Sequence, residues 1–491
     1  MSYDDVLKVA LRRGIFFKTS EIYPNSPAGF WEYGPYGHTI KQKFIEALRK
    51  KLKLLNCVEI DGSIILPREV FEASSHLKSF VDPVVECTQC KQAVRANTII
   101  EEKTGERIPE KDVDKINVLL EKLKLRCPRC GGKLSKAFLF NLMLKVDVGM
   151  KEHECYLRPE TCQAIFLDFK RVFKAMRGKL PFAIFQVGKS FRNEISPRQS
   201  LVRMREFTQA EIEVFFNPKK EDELEFDWLK SFRLNLYVNG RSIETTPEMA
   251  VENGIISSKL VAFHLAFIHE FYESIGVPHE NLRIRKLSED EKAFYAKEAW
   301  DLEVLTSLGY LELVACNHRG DYDLGAHSKH SGIDLKVLDG GERVLPNVFE
   351  LSIGVDRSIL AILDLTYRKT KDRIFFSLSP KLAPIQVCVF PLVAKDGLPE
   401  KAQEVCKLLS DFEYVYEEKG SIGKRYYRYD EIGVPFAITI DYRSIKDDTI
   451  TIRDRDTSQQ VRINLNELRE VLEKLLRGEL KFEDVKGERV S

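Results

Sequence analysis

"FRNEISPRQSLVRMREFTQAEIEVFF", Phe191 to Phe216, contains two alternating runs separated by a polar turn. The first belongs to "AIFQVGKSFRNEI", which starts at Ala183 and is rich in β-branched and aromatic residues; "SPRQS" has turn chemistry; "REFTQAEIEVFF" alternates again. The stretch therefore predicts a strand, a loop and an antiparallel strand. Period-two spacing puts Arg192 and Glu194 on one face of the first strand and Phe207, Gln209 and Glu211 on one face of the second. A guanidinium, an aromatic ring and carboxylates on one face suit a nucleotide, because the ring can stack on a base and the guanidinium forks onto phosphate oxygens. A bare Arg-x-Glu pair reads equally as a cross-strand salt bridge on a surface hairpin.

A second stretch supplies a partner. In "NVFELSIGVDRSILAIL", Asn347 to Leu363, a strand leads through Gly354 to Arg357, which opens an apolar helix. The "GKS" at Gly188 to Ser190 invites a phosphate-loop reading, but that pattern needs glycine at 183, where alanine stands, and a following helix instead of a strand. The long pattern F-R-x-E, loop, R-x-x-x-F-x-x-x-E, from Phe191 through Arg203 to Glu211, resembles motif 2 of the class II aminoacyl-tRNA synthetases. The segment ending in Arg357 resembles their motif 3, and the class I signatures are not recognisable.

The 491 residues suffice for about three domains at roughly 150 residues each. With 76 lysines and arginines against 75 acids the net charge is +1, so any nucleic-acid contact must come from local patches. No apolar run approaches the roughly 20 residues of a membrane span, and "MSYDDVLKVALRRG" reads as a polar amphipathic helix, not a secretory signal. A cytoplasmic location and no membrane partner are expected, and in a reducing compartment paired cysteines suggest metal. Composition divides the chain into 1–83 plus 139–380, a cysteine-punctuated insertion at 84–138, a second insertion at 219–280 of unread role, and a C-terminal α/β unit at 381–491 beyond a linker at Ser379 to Pro384.

"EIYPNSPAGFWEYGPYG", "LFNLMLKV", "YLRPETCQAIFLDFKR", "LELVACNHRGDYDLGAHSK", "PNVFELSIGVDR", "GSIGKRYYRYDEIGVPFAITID" and "TITIRDRDT" together resemble the glycyl-tRNA synthetases of archaea and eukaryotes, in family order along nearly the whole chain. The resemblance implies an α+β catalytic domain built on an antiparallel sheet, an α/β anticodon-binding domain, and a homodimer through motif 1, which matches the helix after "YGPYG" and the strand running to Pro67. It implies ATP-dependent attachment of glycine to tRNA(Gly) through a glycyl-adenylate, releasing AMP and pyrophosphate. By the same resemblance Arg192 holds the α-phosphate and the attacking carboxylate; Arg203 and Arg357 hold the outer phosphates; Phe207 stacks adenine; Glu194 orients Arg192 or touches the adenine amino group; and Mg²⁺ shares the triphosphate charge. Glycine has no side chain to grip, so carboxylates must crowd its ammonium; the resemblance gives that role to Glu160, Glu211 and Glu312, with Glu350 and Ser352 lining the wall by the α-carbon. Two departures touch the pocket: Cys162 and Ala164 stand where the family has alanine and glycine, and "ASSH" replaces "ASGH" at Ser75.

Cys87-x-x-Cys90 and Cys127-x-x-Cys130 form two knuckles whose four thiolates suit a tetrahedral structural Zn²⁺. In the C-terminal unit Lys424, Arg425 and Arg428 interleave with Tyr426, Tyr427 and Tyr429, a mixture suited to tRNA phosphates and unstacked anticodon bases. Two other readings stay open: a class II synthetase for another amino acid, which would share motifs 2 and 3 without the "RPET" glutamate cluster, and a non-enzymatic synthetase-like accessory subunit that binds nucleic acid.

Overall fold

The computed structural model of the protein describes residues 2–105, 112–150, 152–195, 197, 199–223, 227, 230–293 and 295–490. Its largest element is a nine-stranded sheet formed by β1 (Val58–Glu59), β2 (Phe182–Phe191), β3 (Glu206–Phe216), β4 (Leu234–Val238), β5 (Arg241–Thr245), β6 (Leu282–Lys286), β7 (Glu298–Thr306), β8 (Gly309–Gly320) and β9 (Asn347–Gly354). The spatial order is β5-β4-β6-β7-β8-β9-β3-β2-β1. All neighbours are antiparallel except the pairs β1–β2 and β4–β6. Three helices pack in its core: α1 (Pro35–Leu52), α2 (Lys259–Ser274) and α3 (Val355–Thr366).

Local chemistry sets the helix ends. Helix α1 starts with proline at its first position, after Gly34. The glycines of "YGPYG" are required by close approach: a Cβ on Gly34 would lie 2.0 Å from the Gly14 carbonyl oxygen, and one on Gly37 1.9 Å from that of Ile15. The Ser258 side chain caps α2 by accepting from the Val261 amide. This helix is apolar on nearly every side and is buried almost throughout, as expected of a helix inside a large core.

The stretch at 219–280, read from the sequence as a second insertion within the catalytic domain, has a structural role. It supplies β4, β5 and α2, which extend the main sheet and fill its core. The β4–β6 pairing joins residues far apart in sequence, and a reading of local patterns cannot see it. The opening hairpin forms as expected, with Ser190 opposite Phe207 and Gln186 opposite Glu211, but β2 ends at Phe191. The Arg192 amide still donates to the Arg205 carbonyl at 2.9 Å; the Glu194 amide then folds back onto the Arg192 carbonyl at 2.7 Å. Arg192 and Glu194 therefore sit in the turn beyond the strand, not on its face.

The cysteine-bearing segment has its own three-stranded sheet, with strand Val81–Glu86 between Ala93–Arg95 and Phe138–Asn141, and its own small core against helices Ala96–Thr104 and Val113–Lys122. The C-terminal unit is a six-stranded mixed sheet of β10 (Val387–Pro391), β11 (Tyr414–Tyr416), β12 (Phe436–Ile440), β13 (Thr449–Asp454), β14 (Gln460–Asn464) and β15 (Glu488–Val490), ordered β11-β10-β12-β13-β14-β15. Helix α4 (Ile422–Asp430) lies against it. The two units are pinned by Arg12 and Arg13 on Glu431, by Lys43 on Glu413 and by Arg373 on Asp430. Leu378 and Leu382, on either side of Ser379, are fully buried, so the expected linker is tied down.

One buried ion pair joins all three motif regions. The Asp356 carboxylate accepts from Lys41 Nζ at 3.1 Å and from Tyr33 Oη at 2.8 Å, while its second oxygen accepts from the Thr208 amide. Lys41 also donates to the Thr208 hydroxyl. Burial pulls the Lys41 ammonium down in pKa, and Asp356 works the other way. Lys41→Met would leave this buried carboxylate without its cation, so we expect a loss of about 3 kcal/mol in folding stability, read as an earlier midpoint in chemical denaturation; a loss below about 1 kcal/mol would contradict this role.

Candidate active site

Strands β3, β8 and β9 and the start of α3 line a cavity of about 370 Å³, within the usual range for small-ligand sites of roughly 300–1,000 Å³. The register explains why these side chains meet. Glu211 on β3 lies opposite Ser352 on β9, and Glu350 on β9 lies opposite Asn317 on β8. Arg192, Glu194, Arg203, Phe207, Arg357, Glu160, Glu211, Glu312, Glu350 and Ser352 all line this one cavity.

At one end lie three arginines. The Arg192 guanidinium sits 5.2 Å from the Phe207 ring centroid and 5.4 Å from that of Phe80, and its Nε donates to the Pro159 carbonyl at 3.1 Å. Arg203 is half-exposed, with its Nε 3.7 Å from the buried carboxylate of Glu194. Arg357, just inside α3, donates from Nη1 to the Glu312 carbonyl at 2.7 Å and pairs with its carboxylate at 3.2 Å. Glu312 is therefore paired with an arginine at this end and makes no hydrogen bond or ion pair to Glu160 or Glu211 among the described residues. Sequence spacing could not show this, because Glu312 and Arg357 meet across two strands and a helix start.

At the other end the acids are packed and held. Glu211 is fully buried; Oε2 accepts from the Thr161 hydroxyl at 2.7 Å, and Oε1 accepts from Gln209 at 2.7 Å and Ser352 at 2.9 Å. Burial, reinforced by the neighbouring Glu160 and Glu350, pushes its pKa up to about 7. Burial also raises Glu350, although Arg319 Nη1 donates to it at 2.6 Å and works against the shift. Glu160 goes the other way: burial would raise it, but His76 at 3.2 Å, Arg319 and the Cys162 thiol hold it well below the usual carboxylate range. Cys162, one of the two expected departures, donates to Glu160 Oε1 at 3.0 Å, and so does the Gln163 amide. Ser75 takes the left-handed backbone, φ +64°, that explains a glycine there in the family, and its hydroxyl lies 3.3 Å from Tyr322 Oη.

Several contributors escaped the sequence reading. Arg319 is buried between Glu350 and Asp323, which it grips through two nitrogens at 2.7 and 2.8 Å. Arg158 of "RPET" runs under β2, donating to the carbonyls of Lys189 and Gly62; a Cβ on Gly188 would lie 2.0 Å from its Nη2. That contact, not phosphate, accounts for the glycine of "GKS". Glu213 is buried beside Glu350 with no hydrogen-bond partner, and burial raises its pKa well above the usual carboxylate range. The "EIE" spacing placed it on the Glu211 face, and its burial was the missing signal.

In the C-terminal unit Lys424, Tyr427 and Arg428 are exposed on α4, with Arg428 on Glu417 at 3.0 Å. Arg425 is not a surface residue. It is 1% exposed, and its guanidinium donates to the carbonyls of Pro391, Leu392 and Glu417, so it braces the domain and is buried away from any phosphate in solvent. In the cysteine segment the four sulfurs lie within 4.8 Å of one another. The Cys90 amide points at Cys87 Sγ at 3.5 Å, and this amide lowers the Cys87 thiol to about 6. A Cβ on Gly132 would approach Cys87 Sγ at 3.0 Å. Four thiols converging with backbone donors fit a tetrahedral soft-metal site.

The family model "tRNA synthetase class II core domain (G, H, P, S and T)" matches residues 145–244, which contain the hairpin, and the model "Anticodon binding domain" matches residues 386–475, which contain the second sheet except its last strand, β15. The chain is 37% identical to the glycine--tRNA ligase of Thermococcus gammatolerans, with 97% of this chain and 99% of the relative covered. It is 36% identical to that of Pyrococcus horikoshii and 34% to that of Methanocaldococcus jannaschii, at the same coverage. The first of these alignments spans 564 positions, so the relatives carry additional residues inside the shared span. With its synthetase core, its anticodon-binding fold and near full-length similarity to named relatives, the chain belongs to the glycine--tRNA ligase family of class II synthetases.

Proposed function

We propose that the chain joins glycine to tRNA(Gly) with ATP as energy source, through a glycyl-adenylate. What supports it is one cavity lined both by Arg192, Arg203 and Arg357 and by the buried carboxylates of Glu211 and Glu350. In the first step the glycine carboxylate attacks the α-phosphorus of ATP and pyrophosphate leaves; in the second a terminal ribose hydroxyl of the tRNA takes the glycyl group and AMP leaves. No covalent enzyme intermediate is needed, so catalysis is positioning plus stabilisation of charge on phosphate oxygens. Arg192, oriented by Pro159 and its flanking rings, holds the α-phosphate and the attacking carboxylate. Arg203 and Arg357 hold the outer phosphates, and Phe207 stacks on adenine. Glu194 steadies Arg203, which lies within reach. Mg²⁺ would neutralise triphosphate charge, and the oxygen donor available at that end is the half-exposed Glu312.

Glu160 and Glu211 grip the glycine ammonium, with Ser352 and Glu350 closing the wall around the α-carbon. A full pocket rejects larger amino acids by exclusion, the direction in which a small site discriminates well. Lys424 and Arg428 on α4 contact tRNA phosphate. The segment after α1 leaves Leu54, Ile64 and Ile65 exposed, which supports homodimerisation there. All ten cysteines are free, which supports a reducing cytoplasm, and no helix among the described residues is long and apolar enough to cross a membrane. Cys87, Cys90, Cys127 and Cys130 hold one Zn²⁺ that ties the insertion's two knuckles together.

Glycine alone among the amino acids should drive exchange of labelled pyrophosphate into ATP, and Arg192→Ala should cut that exchange at least about a hundredfold; exchange with another amino acid would overturn the specificity, and near-normal activation by the variant would overturn the role of Arg192. Because Glu211 titrates near 7, its ionised form is lost as pH falls. Apparent KM for glycine should then rise below pH 7 by up to about tenfold per pH unit, with KM for ATP little changed; a glycine KM flat from pH 8 to pH 6 would refute the assignment. Serine at both Cys87 and Cys127 should remove one equivalent of zinc per chain by elemental analysis, and unchanged zinc would refute the knuckle site.

A further inference from the structure

Away from the cavity and from the cysteines, α2 ends in a second cluster of ligand-type side chains. His269 and Glu273 lie four residues apart on one face of the helix, and the chain then turns back so that His279 meets them. His269 Nδ1 lies 3.0 Å from Glu273 Oε1, and His279 Nδ1 lies 2.5 Å from the same oxygen. The three donor atoms all fall within 4.8 Å of one another, and the two imidazole rings are 5.1 Å apart, nearly perpendicular in the edge arrangement.

His269 is the telling member. It is 0% exposed, yet among the described residues neither ring nitrogen makes a hydrogen bond of acceptable geometry, and the Phe232 ring stands nearly perpendicular to it at 5.4 Å. A buried imidazole whose nitrogens lack well-formed hydrogen bonds is costly. Burial lowers its pKa, which keeps the ring neutral with a lone pair to donate. His279 is one third exposed, so an ion can enter from solvent. Its backbone is also held: Asn235 on β4 donates to the carbonyls of His279 and Leu282.

We propose that His269, Glu273 and His279 form a second metal site, taking Zn²⁺ or a similar borderline divalent ion, with a water completing the coordination. Two imidazoles and a carboxylate are a recurrent donor set for such ions, with metal–ligand bonds of about 2.0–2.2 Å. Donors bound to one ion at that length sit about 3.4 Å apart, so only small side-chain movements separate this cluster from a coordinated one. The ion would clip the last turn of α2 to the turn entering β6. Helix α2 in turn packs Phe271 on Phe44 of α1, and Tyr272 shares a hydrogen bond with Ser358 of α3, so the clip fastens a helix that carries the motif elements. The competing arrangement is metal-free, with one carboxylate shared by two imidazoles.

The test uses full-length protein stripped with a chelator and titrated with Zn²⁺ and, separately, Co²⁺. The cysteine cluster reports through strong thiolate-to-cobalt absorption in the near ultraviolet, which a histidine and glutamate site lacks. Wild-type protein should bind two equivalents. His279→Ala, at a part-exposed turn, and the isosteric Glu273→Gln should each keep the thiolate signal and weaken the other equivalent at least about a hundredfold, beyond the roughly 10–100-fold lost when only an outer-shell partner is removed. A single equivalent in the wild type, or two equivalents of unchanged affinity in both variants, would overturn the proposal.

Discussion

Everything in the catalytic unit converges on the Asp356 carboxylate. It is buried, and its partners come from two distant parts of the chain: Tyr33 and Lys41 from the entry to α1 and α1 itself, and the Thr208 amide from β3. Arg357 follows it in the chain and Phe207 precedes Thr208, so the ion pair fixes the relative height of two residues that line the cavity. A buried charge of this kind is poor evidence of stability by itself, since desolvation offsets much of the attraction. Its value is specificity of placement. Any slip of β3 against α3 would strand a carboxylate in an apolar core.

The same reasoning organises the acid end of the cavity. Three glutamates, Glu160, Glu211 and Glu350, line the cavity, and a fourth, Glu213, is buried beside Glu350. The protein keeps their charges apart by giving each a different environment. Glu160 has His76, Glu350 has Arg319, Glu211 has only neutral hydroxyl and amide donors, and Glu213 has no hydrogen-bond partner. The result is a site short of positive charge where Glu211 stands, and the ammonium of an amino acid can supply it. Cys162, at one of the departures from the family pattern, adds a weak donor that helps hold Glu160 ionised, and it removes no charge.

Local pattern carried the reading far where the physics is local. The alternation on either side of the 195–205 loop announced the hairpin, the Gly354-to-Arg357 step announced a strand followed by a helix, and the paired cysteines announced their own convergence, which the sulfurs show. It failed where a residue's fate depends on distant neighbours. Arg425 looks like its neighbours Lys424 and Arg428, yet one helix face separates a guanidinium locked on three carbonyls from a solvated one. The role of the run at 219–280 was not legible because β4 and β5 pair locally with each other and join the main sheet only through β6, across α2.

What the sequence by itself determined is therefore the set of chemical groups and their order along each strand, because side-chain alternation and turn preference depend on a few adjacent residues. It also carried enough family pattern to identify the chemistry. Only the tertiary structure decided which groups face one another: Glu312 with Arg357, Arg319 with Glu350, Arg158 under Gly188, and His269 with Glu273 and His279. Those pairings are set by strand register, helix packing and burial, which are properties of the whole core. Charge and pKa follow burial, so the state of each carboxylate in the cavity could be known only once the sheet had closed around it.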